Sequence, residues 1–304
     1  MSMFPRSLIV ILALLAGFAG IAFAQADKQQ RFPSAEAAAT TLTEAIRKDD
    51  DKAIAAILGT GWRDLVPGNK THEDEARTRF LESWDQGHKI VPQGDDKAII
   101  EAGTTGWQMP IPLVKDAAGW RYDVEAGAKE IVAREIGRDE LAVIQVLLAI
   151  VDAQREYATL DPKKTGGTAY ARRLLSSPGK KDGLYWEAAP GEPQSPLGAL
   201  VAKAQPGDGP GQGYFGYHFR LLYGQGAAAP GGAHDYLVNN RMIGGFGVIA
   251  WPVTYGETGV MTFIVSQAGD VYEQDLGPET AQRAGSIVLF NPDKGWDKAD
   301  MTPP

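Results

Sequence analysis

The sequence predicts an α+β protein of two modules. N-terminal helices and a small antiparallel sheet come first, then a long buried helix packed on an antiparallel β-meander. Three observations point there. Apolar and polar residues alternate with period two in separate runs between Gly213 and Glu273. The stretch from Leu141 to Val151 is apolar apart from Gln145, too short to cross a bilayer and too oily to stay wet. Between Pro33 and Trp84 the apolar residues recur at helical spacing.

The elements follow in order. Arg6 is the only charge before Asp27, Leu8 to Phe23 is apolar, and Ala22-Phe23-Ala24 has the small-x-small form of a signal-peptidase site. Residues 1–24 are therefore expected to be a leader cleaved after Ala24, leaving no transmembrane anchor and placing the protein in the periplasm or outside the cell. The first module is expected at 25–126, the second at 127–298, with a tail at 299–304. Ser34 should cap a first helix carrying Ala38, Leu42, Ala45 and Ile46, and the aspartates at 49–51 should cap a short second helix that Gly59 ends. A third helix is expected from Thr71, as N-cap, to Trp84. Strands are expected at His88–Val91, Lys97–Glu101, Trp107–Val114 and Trp120–Val124.

A helix is then expected over Glu125–Tyr157, and a short one over Leu197–Lys203. In the meander, Tyr217, Phe219 and Leu221 should face one way and His218, Arg220 and Leu222 the other. Two further alternating runs end at Pro252, which has no N–H to donate, and at the turn Ala268-Gly269-Asp270.

Composition excludes several functions. The net charge is −8 with no basic block, so nucleic acid is not an expected partner. There is no cysteine, which removes thiolate catalysis, cysteine metal sites, disulfides and a lipid anchor on cysteine. No Gly-x-Ser-x-Gly, His-Glu-x-x-His or Walker lysine pattern occurs, and four scattered histidines do not make a metal cluster. No cofactor and no metal are expected, and the reading leans away from an enzyme.

Several segments carry a family resemblance: Trp107–Val114 (WQMPIPLV), Gly119–Asp123 (GWRYD), Arg134–Leu141 (REIGRDEL), Asp152–Tyr157 (DAQREY), Gly216–Arg220 (GYHFR), Ala229–Ala233 (APGGA), Met242–Phe246 (MIGGF), Ala250–Pro252 (AWP) and Thr258–Phe263 (TGVMTF). Together they resemble the exported bacterial proteins of domain-of-unknown-function family 2950, over nearly the whole mature chain. The resemblance implies export and this domain order, and supplies no activity. By its order of elements the first module resembles the cone-shaped nuclear-transport-factor-2-like arrangement. The second resembles the soluble part of type IV pilins and pseudopilins, although here about a hundred residues precede the apolar helix.

Two candidate sites follow. The glycine-rich loops Gly224–Gly232 and Gly244–Gly245, with Tyr214, Phe215, His234, Tyr236 and Arg241, suggest a surface for a protein or envelope partner on a non-catalytic binding module. Trp62, Trp84, Trp107 and Trp120 suggest a pocket in the first module, the basis of the alternative: a small-ligand carrier or an unrecognised hydrolase. Turn formation and core packing are the bland readings of the same residues.

Overall fold

The computed structural model describes residues 29–66, 68, 70–163, 166–192, 194–201 and 213–300. The leader and its cleavage site, the end of the expected Leu197–Lys203 helix, most of the Asp208–Gly213 loop and residues 301–304 of the tail lie outside the described residues. The protein is α+β, and its chain divides between Ile131 and Val132 into two compact units.

In the first unit, α1 (Ala35–Arg47) is capped by Ser34, whose Oγ accepts from the Ala37 N–H at 3.1 Å. Asp50 caps α2 (Asp51–Leu58) by accepting from Lys52 N and Ala53 N at 3.1 and 3.0 Å, and Gly59, at φ 94°, ends it. A 3₁₀ turn, Trp62–Leu65, leads to α3 (Lys70–Gln86). This helix begins one residue before Thr71, so Thr71 lies in its first turn and is not its N-cap.

The sheet of this unit is antiparallel. It contains β1 (His88–Pro92), β2 (Lys97–Ala102), β3 (Trp107–Gln108), β4 (Leu113–Asp116) and β5 (Gly119–Tyr122), in the order β1-β2-β4-β5 with β3 also on β2. The single strand expected over Trp107–Val114 is in fact two. Pro110 and Pro112 donate no N–H, so the ladder stops after Gln108 and resumes at Leu113. Leu42, Ile57, Ile100, Leu113 and Tyr122 fill the core between helices and sheet.

The long helix α4 runs from Val124 to Leu160, and its larger part, from Val132 onward, belongs to the second unit. There the main sheet is antiparallel, in the order β14-β13-β12-β11-β6. Its strands are β6 (Tyr217–Leu222), β11 (Gly247–Pro252), β12 (Met261–Ser266), β13 (Val271–Asp275) and β14 (Asp297–Lys298). Short pairs, β7 (Gly224–Gln225) with β8 (His234–Asp235) and β9 (Leu237–Val238) with β10 (Arg241–Met242), fill the crossover between β6 and β11. A four-residue helix, α5 (Gly198–Val201), precedes β6, and α6 (Thr280–Ser286) follows β13.

Alternation along each strand separates two cores. Tyr217, Phe219, Leu221, Val248, Ala250, Phe263 and Val265 pack with Val143, Ile144, Val146, Leu147, Ile150 and Val151 of α4. Leu222, Ile249, Ile264 and Trp251 face the other way and pack with Ala284 and Ile287 at α6. Each fully buried aliphatic side chain contributes about 1.5–3 kcal/mol, so the α4 stripe dominates the stability of this unit. Among the described residues no helix is long and apolar enough to cross a membrane.

Polar bonds fix where α4 sits on the sheet. Glu140 Oε1 accepts from Val260 N at 2.9 Å and Met261 N at 2.8 Å, where β12 begins. The Tyr217 hydroxyl, 3.4 Å from the same oxygen, donates to Met261 O at 3.0 Å. Burial and the Glu140 charge push the Tyr217 phenol far up, so it stays a donor. Gly259 leaves room for this junction: a Cβ there would stand 2.0 Å from the Tyr217 hydroxyl. Further along α4, Gln154 is fully buried and exchanges two bonds with Ala171, accepting from its N–H at 2.8 Å and donating to its carbonyl at 3.0 Å.

Three outcomes are expected. Leu147→Ala should cost about 2–5 kcal/mol in chemical denaturation. Glu140→Ala should cost about 2–3 kcal/mol, because two backbone donors lose a charged acceptor. The third concerns Glu273, whose pKa is raised by burial and by Glu140, Asp300 and Asp297. The folded state holds this proton more tightly than the unfolded chain. Its stabilisation is complete below the unfolded pKa and is lost as pH rises through the folded one. Glu273→Gln should therefore melt higher than the wild type at pH 7, with the gap closing below about pH 4.

Candidate functional site

Strand β6 is the edge of the main sheet, and its register decides what that edge exposes. The bond from Val253 N to Gly216 O at 2.9 Å fixes the phase, so His218, Arg220 and Leu222 turn their amides toward β11. Those of Tyr217, Phe219 and Leu221 point to the open side. Tyr217 is satisfied there by reciprocal bonds with Tyr214, at 2.7 and 3.0 Å, across a tight turn that holds Phe215 at φ 55°. Gly213 enters that turn at φ 85°, and a Cβ on it would stand 2.7 Å from the Tyr217 carbonyl oxygen. Phe219 has no backbone hydrogen-bond partner on the open side among the described residues.

Beside Phe219 lies a cavity of about 330 Å³. Val146 and Ile150 of α4 line one side, Leu174 and Leu197 another, and Tyr214 and Phe215 a third. Because β6 is an edge, the cavity reaches around it to the opposite face of the sheet, where His218, Arg220 and Trp251 complete the wall. The His218 ring stands 5.4 Å from the Trp251 ring, and Arg220 Cζ lies 5.8 Å over it. Arg220 Nη2 donates to the carbonyls of Ala284 at 2.9 Å and Ile287 at 2.7 Å, tying β6 to the end of α6.

The five residues expected to form a partner surface separate into two groups. Tyr214 and Phe215 line the cavity. His234, Tyr236 and Arg241 do not. Tyr236 is fully buried and donates to Gln225 Oε1 at 2.9 Å, so it belongs to the interior and not to a surface. Burial pushes its phenol up to about 12. Gln225 in turn donates to the carbonyls of Pro230 and Gly232, both at 2.7 Å, and so wraps the Gly-rich loop around itself. His234 is exposed, with its ring edge-on to Tyr236 at 5.5 Å, and Arg241 is exposed with Nη2 donating to Gly167 O at 3.3 Å.

The four tryptophans of the first unit also differ in environment. Trp62 and Trp84 are in the core, and Trp84 stacks on His88 at 3.6 Å. Trp120 packs partly buried against that core and pairs its backbone with Phe32. Trp107 is 39% exposed and stands edge-on to Phe80 at 6.1 Å.

The arrangement is suited to binding. Among the described residues no group of three or more histidine, aspartate or glutamate side chains can hold a metal ion. Among the described residues His218 has the aromatic contact with Trp251 and no ring hydrogen bond, and His234 bonds the Gly244 carbonyl at 3.3 Å, so no described carboxylate orients either ring. The signals that sequence reasoning missed are polar residues with distant partners: Glu140, Gln154, Gln225 and Arg220. Each is an ordinary polar residue until the element that it bonds has been placed beside it.

The motif residues mainly build the scaffold. In Asp152–Tyr157, Gln154 holds Ala171, Arg155 Nη2 donates to Gln267 O at 3.0 Å, and the Tyr157 hydroxyl donates to Lys181 O at 2.8 Å. No curated protein and no solved structure matches the chain, so the pilin-like and nuclear-transport-factor-2-like resemblances stand on element order alone. Residues 29–299 match the model of the family described as protein of unknown function (DUF2950), and the chain belongs to that family.

Proposed function

We propose that this protein is an exported, non-catalytic binding protein of the cell envelope that holds an apolar chain of its partner in the cavity beside β6. The observation that carries the reading is the cavity itself. Its volume of about 330 Å³ falls within the range of ligand pockets, about 300–1,000 Å³. Its walls are mostly aliphatic and aromatic, and it opens at a strand edge where the Phe219 amide has no partner among the described residues. Export, with cleavage after Ala24, is part of the proposal and rests on the apolar run Leu8–Phe23 and the Ala22-Phe23-Ala24 pattern.

The alternative, a small-ligand carrier or hydrolase served by Trp62, Trp84, Trp107 and Trp120, has less behind it. Two of these rings are used in packing, and Trp107 is among the more exposed.

N-phenyl-1-naphthylamine, an uncharged dye that fluoresces in apolar surroundings, tests the reading. The full mature chain should bind it with micromolar affinity. Leu174→Trp, which places a larger ring at the cavity wall, should weaken binding at least tenfold while the melting temperature stays within a few degrees. Dye binding that is absent, or that Leu174→Trp leaves untouched, would count against the cavity as the functional site.

A further inference from the structure

We propose that the chain held in this cavity ends in a carboxylate, received by Arg220 beside Trp251, and that the ligand class is a medium-length alkyl carboxylate. The inference rests on the cavity reading above. Among the described residues that line the cavity, Arg220 is the one of fixed charge on an otherwise largely apolar wall. Among the described residues it has no carboxylate partner, unlike Arg31, Arg47, Arg63, Arg77 and Arg155. Its two hydrogen bonds to carbonyls use Nη2 alone. Among the described residues Nη1 and Nε hold none, and neither is a buried atom left without a partner.

That geometry sets a requirement on whatever fills the space. An apolar chain lying along Phe219 and Trp251 would shield Nη1 from solvent. Desolvating the unbonded guanidinium nitrogens without supplying an acceptor opposes binding and offsets much of what burial of a short chain provides. A ligand that brings its own anionic oxygen turns this cost into a charge-assisted bond. Trp251 supports the arrangement: Arg220 Cζ lies over its ring, 5.8 Å from the centroid, while Nη2 is held by the end of α6. The donor is thus fixed before the ligand arrives. His218, two residues along the same face and without a hydrogen bond among the described residues, adds a second nitrogen donor near the same indole. A volume of about 330 Å³ suits a chain of roughly ten carbons, given a share of about 30 Å³ for each water-sized group.

Calorimetric titration of the mature chain with decanoate and with decanol separates the two layers of the argument. Decanoate should bind at least tenfold tighter than decanol. Arg220→Gln, whose amide can still reach a carbonyl of α6, should lose that preference while binding decanol as before. Arg220→Lys should keep part of it. Equal binding of decanoate and decanol by the wild type would overturn the carboxylate and leave the apolar cavity standing. Binding of neither would overturn both. A loss of decanol and decanoate affinity together in Arg220→Gln, with a fall in melting temperature, would assign Arg220 a purely structural role and end the proposal. An apolar pentapeptide acid that binds where decanoate does not would overturn the alkyl source.

Discussion

A carboxylate anchors helix to sheet at one end of β12 in the second unit, and Arg155, bonded to Gln267 O, ties the helix near the other. The apolar stripe of α4 would bury nearly as well if the helix slid by a turn, because hydrophobic contact has no direction. Glu140 removes that freedom. Its Oε1 is claimed by two successive backbone N–H groups, Val260 and Met261, so the helix is anchored at the first residues of β12. Tyr217 joins the same junction from β6. Three elements far apart in sequence therefore meet at one charged acceptor, and bonds to a charged group are roughly twice as strong as neutral ones. Gly259 is the cost of the meeting, since no side chain fits there.

The cavity follows from this anchoring. With Tyr217 held at the junction and tied to Tyr214 by the turn, the start of β6 is closed as an edge. Phe219 is the next residue whose amide points outward, and side chains from α4 and from the loops at Leu174 and Leu197 stand around it without bonding to it. A space remains because aliphatic side chains of different elements cover an edge less completely than a paired strand would. On the other side of β6, Trp251 lies between His218 and Arg220 and continues the wall.

Much of the framework was legible in the sequence because it depends on local rules. Ser34, Asp50 and Gly59 cap and end their helices as their chemistry dictates, and alternation assigns Tyr217, Phe219 and Leu221 to the α4 face. The apolar run Leu141–Val151 marks the buried helix, with Gln145 on its exposed side. Local rules failed where two of them competed: Trp107–Val114 has strand-like residues, yet two prolines remove the donors that a continuous strand needs. The cavity was not legible. Val146, Leu174, Leu197, Phe215 and Trp251 come from distant parts of the chain, and nothing local marks any of them as a wall residue. Tyr214 and Phe215 were singled out for their place in a Gly-rich aromatic turn, and both line the cavity. Tyr236 was singled out for the same reason, although its ring is core.

The two edges of the main sheet show why the recess beside β6 is a feature and not a packing flaw. An exposed edge invites pairing with another chain, and proteins blunt it with short strands and charge. At the far edge this is what happens: β14 is two residues long, Asp297 and Lys298, and the lysine is paired with Asp270 at 2.8 Å. At β6 the strand is not short, and its one fixed charge, Arg220, is tied to the end of α6. The strand is six residues long and carries Phe219 on one face and His218 and Arg220 on the other. Its protection comes from the turn at Tyr214 and from side chains standing over it, which exclude a full partner strand and still leave room for something narrower. An edge defended only against another strand would need no guanidinium held by α6 and an indole at its rim. The proposed ligand, with an apolar body and an anionic end, would lie in the space that this defence leaves open.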